Sequence, residues 1–333
     1  MIQYYSATVP LKQDIFRQAI DLIAATFGEA EASIERQQLA GCDAADNQDH
    51  LFWAQKDGAL IGMLLLTIPK QMSKIGALSG FCVSGQNRGY GIGKVLLSNA
   101  LTYFDQCCGE VLFLGTDNPV ASHLYRQFGF AFASGSHIMY RSRDDSLLPF
   151  FREYYTPDNI KIKPATAAMR IQLIPLILQH GRDNLMDANA GIISTAVLTQ
   201  RSCMGLYPRY AVLIENGGSV FCGYNEKGML CAVASLMITG TGDACVDAFC
   251  APGCESIMPE LLSNACRHTG GYYAHLADSD ILKSQVFSEY GFRRSKAVTV
   301  TWNDVLIPCH QWCFTLFGAG QPDKKTDRNP PHK

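Results

Sequence analysis

The residues with the clearest chemical potential are Arg88-Gly89-Tyr90-Gly91-Ile92-Gly93 and the following Lys94, in the stretch FCVSGQNRGYGIGKVLLSNAL. This R-x-x-G-x-G turn comes directly after an apolar run that reads as a strand and opens an amphipathic run that reads as a helix. Glycines there let the backbone approach a ligand closely, and the helix start offers unpaired N–H groups and a positive dipole end. Such a turn is a cradle for phosphate. It has neither the G-x-G-x-x-G spacing of a dinucleotide site nor the G-x-x-x-x-G-K-[ST] of a P-loop. Other reactive sets are weaker. Cys245, Cys250 and Cys254, or Cys309, His310 and Cys313, lack the paired C-x2-C spacing of structural zinc, so no metal is expected. Cys82 ends the strand before the turn, but no His or cation stands near it in sequence, which favours an inert buried thiol over a nucleophile.

The elements that must position the turn follow from periodicity and punctuation. In the first half we expect a strand at 2–7, a helix at 11–26, strands at 51–55, 60–68 and 77–83, and the helix of the turn at 91–104. A strand at 111–114 and a helix at 119–128 complete the set. Strands and helices in this order predict an α/β layer with strand, turn and helix at its centre. Segments 30–49 and 69–74 read as loops.

These residues resemble the GNAT (GCN5-related N-acetyltransferase) superfamily. Its central motif is a strand ending in Val, then Q/R-x-x-G-x-G/A, then a helix. Its next motif, a strand, an Asn at the following helix start and Y-x-x-x-G-F, stands here as Asn118, Tyr125, Gly129 and Phe130. The resemblance covers most of residues 1–142. It implies that the turn from Arg88 to Lys94 holds the pyrophosphate of acetyl-CoA. It also implies that the strand edge at Phe81, Cys82 and Val83 holds the pantetheine arm, with Asn118 and Tyr125 completing the cofactor site. Acyl transfer to an amine passes through a tetrahedral oxyanion and expels a thiolate. Backbone N–H groups near Cys82 and Val83 can meet the oxyanion, and the resemblance places the Tyr125 hydroxyl as acid near sulfur. Many relatives carry a Glu on the central strand as general base; here Ala77 stands in its place, beside Leu78, Ser79 and Gly80. A proton could leave through ordered water, or through Glu110, Asp117 or His123.

The second half repeats the first. Placing FGF at 128–130 over YGF at 290–292 aligns LFLGTDNPVASHLYRQFGF with HLADSDILKSQVFSEYGF without a gap. LLSNA recurs at 96–100 and 261–265, and FC at 81–82 and 249–250. Three matches in one order predict two tandem GNAT-like domains, at 1–142 and 160–315, with a linker at 143–159 and a disordered tail at 316–333. The second copy has lost chemistry. Arg88, Gly91 and Gly93 fall on Gly253, Ser256 and Met258 in a shorter turn, while Asn118 and Tyr125 fall on Asp280 and Phe287. We expect this copy to be degenerate and to cover the acceptor groove of the first, or to add contacts from loops such as 205–210.

Composition bounds the rest. The 333 residues are 47% hydrophobic and 17% charged, enough for two cores, and a net charge of −2 argues against a non-specific nucleic-acid binder. No apolar run reaches the length of a bilayer span and no leader pattern opens the chain, so a cytoplasmic protein without a membrane partner is expected. The resemblance implies an acyl-CoA-dependent N-acyltransferase, with acetyl-CoA as donor and a small-molecule amine as acceptor that attacks the thioester directly. O-acylation, thioester decarboxylation and a non-catalytic acyl-CoA sensor stay open as alternatives. The sequence is silent on acceptor identity and on oligomeric state.

Overall fold

The computed structural model describes residues 1–180, 185–193, 203–240, 242–267, 271–302 and 305–314. The tail expected at 316–333 lies outside the described residues. The first half runs β1 (Ile2–Thr8), α1 (Gln13–Phe27), α2 (Glu29–Leu39), β2 (Asn47–Lys56), β3 (Ala59–Pro69), β4 (Ile75–Val83), α3 (Ile92–Gln106), β5 (Val111–Gly115), α4 (Pro119–Arg126), β6 (Ala131–Phe132) and β7 (Ile138–Ser142). Its seven strands form one mixed sheet in the order β1-β2-β3-β4-β5-β7-β6, parallel only between β4 and β5. Strand β3 reads ALIGMLLLTIP and is buried along nearly its whole length, as a central strand covered on both faces must be. Segment 30–49, expected as a loop, instead forms α2 and the start of β2. The reason is tertiary: Glu35 and Gln38 occupy the buried stripe of α2, where their polar groups meet partners from three strands.

The connection between halves contains α5 (Leu148–Tyr154), whose Phe150 and Tyr154 are buried. The second half runs β8 (Lys161–Pro164), α6 (Met169–Leu178), β9 (Leu185–Asp187), β10 (Ile192–Ile193), α7 (Leu206–Glu215), β11 (Ser219–Tyr224), β12 (Leu230–Ile238), β13 (Ala244–Cys250), α8 (Met258–Ala265), β14 (Tyr272–Ala277), α9 (Ile281–Tyr290), β15 (Arg293–Trp302) and β16 (Val305–Phe314). Its large sheet has the order β8-β11-β12-β13-β14-β16-β15, and β13 with β14 is its parallel pair. Matched strand for strand, this is the order of the first sheet. The repeated sequences fall at matching stations: FC at the ends of β4 and β13, LLSNA in α3 and α8, and FGF or YGF after α4 and α9. The molecule is thus a mixed α/β structure with two seven-stranded sheets in tandem.

Helix α6 joins the two. Its sequence, MRIQLIPLIL, is apolar but for Arg170 and Gln172, and it is buried from Met169 to Ile177, as a helix of that composition requires. It packs on β3 and β4 of the first sheet and on β12 of the second. One apolar core runs from Ile75, Ala77 and Phe113 through Ile171 and Ile174 to Val233 and Leu262. At the rim of this junction Arg170 forms an ion pair with Asp43 and lies over the ring of Tyr207, 4.7 Å from its centroid. Beside it the Asn47 side-chain amide donates to the Ala167 carbonyl at 2.9 Å.

Candidate active site

The turn has the geometry its residues predict. Gly91 is the N-cap of α3 in the left-handed region at φ 78°, and Gly89 lies there too at φ 84°, a conformation that costs a residue with a Cβ. No side chain caps α3, so the first N–H groups of a 15-residue helix are left to a ligand. A Cβ on Gly93 would stand 3.2 Å from the ring of Phe81, so the small residue lets the helix sit tightly on β4. Gly89, Tyr90, Gly91 and Lys94 are exposed along the turn, while Ile92 turns its side chain into the core and can serve a ligand only through its backbone. The Arg88 Nε donates to the Val83 carbonyl at 3.0 Å, which ties the turn to the end of β4.

Strand β4 parts from β5 well before that turn while staying paired with β3 to its end. It pairs with β5 only from Ile75 to Ala77, and against β3 its register slips between the partners of Met63 and Leu65. The slip coincides with Gly80 at φ 55°. Such a bulge frees backbone polar groups from the ladder and re-aims the strand. A cavity of about 520 Å³ opens here. It is lined by Leu78 to Phe81 of β4, by Arg88, by Leu114 to Asn118 after β5, and by Ala121 and Tyr125 of α4. The far wall is Ile23, Thr26 and Phe27 of α1 with Glu31 and Glu35 of α2, and Met204 enters from the second half.

Of the residues expected in the site, Phe81, Arg88, Asn118 and Tyr125 line this one cavity, and Cys82, Val83 and the turn adjoin it in the chain. Tyr125 is 6% exposed and packs between the rings of Phe81 and Phe130, at 5.9 and 5.8 Å. Asn118 caps α4, its Oδ1 accepting from the N–H groups of Val120 at 2.9 Å and Ala121 at 3.3 Å. Its amide oxygen therefore serves the helix, and Nδ2 is what it can offer a ligand. Burial pushes the Cys82 thiol up to about 12, which keeps it neutral and unsuited to attack.

The proton acceptors considered from sequence divide differently. Glu110 pairs with Lys74 at 3.0 Å and accepts from the Tyr154 hydroxyl, away from the cavity. His123 is exposed beside Gln127 and does not line it, whereas Asp117 does. Glu35 was missed. The signal available was its place in the stripe Ala32, Glu35, Leu39, where a carboxylate interrupts the buried face of a helix.

The second half lacks these features. Strand β13 pairs with β12 in unbroken register, without a bulge. Phe287, at the station of Tyr125, is fully buried against Phe292, and Asp280, at the station of Asn118, caps α9. A cavity of about 260 Å³ lies there, and its acidic lining residues are Glu255 and Asp280. Its cation, Lys283, is engaged by Asp247 and by the carbonyls of Leu185 at 3.3 Å and Met186 at 2.8 Å. Burial opposes charge on Lys283, but Asp247, Asp280 and Asp187 outweigh it and raise the ammonium. Among the described residues no cluster of His, Cys, Asp or Glu is arranged to hold a metal ion, and no helix is long and apolar enough to cross a membrane.

A parallel strand pair that parts early, an uncapped glycine turn and a tyrosine-bearing helix thus meet around one cavity. Residues 16–130 match the model of the Acetyltransferase (GNAT) family. The second sheet fits a tandem arrangement. No curated protein matches the chain. Similar solved structures include an acyl-CoA N-acyltransferase from Pseudomonas aeruginosa, 18% identical, covering 43% of this chain and 100% of its own at a TM-score of 0.36. ElaA of Escherichia coli is 18% identical, with 43% and 100% covered and a TM-score of 0.37. A phosphinothricin acetyltransferase from Sinorhizobium meliloti, solved with AcCoA, is 12% identical, with 46% and 86% covered and a TM-score of 0.37.

Proposed function

We propose that the protein is an N-acyltransferase that moves an acetyl group from acetyl-CoA to the amine of a small molecule by direct attack. The observation that carries this reading is the single cavity that joins the phosphate cradle at Arg88, the splayed edge of β4 and the hydroxyl-bearing Tyr125. When bound, acetyl-CoA supplies an activated thioester. The α3 turn binds its pyrophosphate through backbone N–H groups from Gly89 to Lys94, with Arg88 adding charge. Backbone N–H groups at Cys82 and Val83 stabilise the oxyanion, and Tyr125 gives a proton to the departing sulfur. The neutral thiol of Cys82 favours direct attack over an acyl-cysteine intermediate.

On this reading residues 1–142 are the working domain, and residues 160–315 are a degenerate copy that does not bind CoA productively. Its straight β13, acidic Asp280 and engaged Lys283 oppose a polyanionic ligand. The described cysteines are free thiols, in keeping with a reducing cytoplasm.

Calorimetric titration with acetyl-CoA, and with longer acyl-CoAs, tests the assignment. One site per chain is expected, and it should vanish in Gly91→Glu, which places a carboxylate at the anion-binding turn. Two sites would overturn the reading of the second copy; no binding would overturn the function.

A further inference from the structure

The central strand brings no carboxylate to the cavity, since Ala77, Leu78, Ser79, Gly80 and Phe81 carry none. Helix α2 delivers one to the same place. Glu35 is 3% exposed and lines the cavity together with Tyr125. The Ser79 hydroxyl donates to its Oε2 at 3.4 Å, and a Cβ built on Gly80 would stand 3.8 Å from its Oε1. The carboxylate thus faces the bulge of β4, where the strand leaves its ladder. Resting on the acyl-transfer reading above, we propose that Glu35 is the base that takes the proton from the acceptor amine, and that the acidic lining it forms with Glu31 and Asp117 around the cavity selects a small amine carrying a second cationic group.

Charge and shape of the lining support both parts. The charged residues lining the cavity are Glu31, Glu35 and Asp117 against Arg88, and Arg88 belongs to the phosphate turn. The acceptor end is therefore net acidic, which attracts ammonium groups and repels carboxylates. Ile23, Phe27 and Met204, the last 3% exposed and contributed by the second half, add apolar surface to the lining. Burial raises Glu35 to about 7, the range in which a base works at neutral pH. The hydrogen bond from Ser79 opposes the rise; among charged neighbours Glu31 and Asp49 add to it and Arg170 opposes it. Arg170 is committed to Asp43, and the nearby Cys82 thiol is neutral.

The step balances without a further reactant. The amine nitrogen bonds to the acyl carbon, its proton passes to Glu35, the C–S bond breaks, and Tyr125 gives its proton to sulfur. Glu35 is left protonated and Tyr125 ionised, and proton exchange with water resets the pair.

The test uses the full chain with acetyl-CoA and three amines of equal chain length: 1,4-diaminobutane, butylamine and 4-aminobutyrate. Thiol release is followed between pH 6 and 9. In the wild type kcat/KM should fall in that order and rise with pH through about 7. Glu35→Gln, which keeps shape and hydrogen bonding, should lower kcat about 10²- to 10⁴-fold and flatten that rise while leaving acetyl-CoA affinity unchanged. Glu31→Gln should raise KM for the diamine with kcat kept. Turnover in Glu35→Gln with the wild-type rate and pH profile overturns the base assignment. Preference for 4-aminobutyrate, or acetyl-CoA binding without turnover of any of the three amines, overturns the acceptor class. Failure of the wild type to bind acetyl-CoA instead removes the acyl-transfer reading beneath it.

Discussion

Tyr125 and Glu35 show what a single side chain can disclose and what it conceals. Tyr125 was legible because its spacing from Asn118 and Gly129 is local, set within one helix and the turn that follows it. Glu35 was not, because its meaning depends on Ser79 and Gly80, more than forty positions away in sequence and brought close only by the fold. If Tyr125 is the acid, Tyr125→Phe should lower kcat about 10²- to 10⁴-fold and leave the affinity for acetyl-CoA intact. A sensor without chemistry would show no such split. Glu35 has a stability signature too. A carboxyl raised by burial binds more protons folded than unfolded, so stability falls as pH rises from about 4.5 to about 7. Glu35→Gln should remove that fall, seen as a melting temperature less dependent on pH across the window and higher than the wild type above pH 7.

Among the elements, β4 and α2 divide the site between the predictable and the hidden. The extent of β4 follows from its apolar run, but the register slip that opens it does not, because a bulge is a relation between two strands. Gly80 is the hinge of that slip. A β-branched side chain at φ 55° is strained, and its Cβ would meet the end of Met63 at 3.2 Å. Gly80→Val should cost about 1–3 kcal/mol in denaturant unfolding and weaken acyl-CoA binding by distorting the strand edge. Helix α2 hid in the polar composition of residues 30–49. Gln38 donates to Asp49 at 2.6 Å and to Thr67 at 2.5 Å, so a helix face that looks solvated by composition is buried against a sheet. The turn at Arg88 was readable by contrast, since its glycines and the helix they open lie side by side in the chain.

For the whole molecule, the repeat was legible at three short matches, and the two sheets share one strand order. The manner of their union was not. The run MRIQLIPLIL was not read as a helix from the sequence, and the surfaces that bury it belong to both halves. The ion pair of Arg170 with Asp43 seals that junction, with Arg170 3% exposed. Arg170→Leu leaves Asp43 without its partner and should cost about 3–5 kcal/mol, read as an earlier single unfolding transition rather than separate melting of the halves.

The shared helix also sets the terms on which the second copy can change. Its cleft holds neither the glycine turn nor the tyrosine, yet α6, encoded in that half, forms part of the support beneath the first half's central strands. Substitution on α6 must satisfy two sheets at once. The second half is held on this face by what the first half's sheet needs from it.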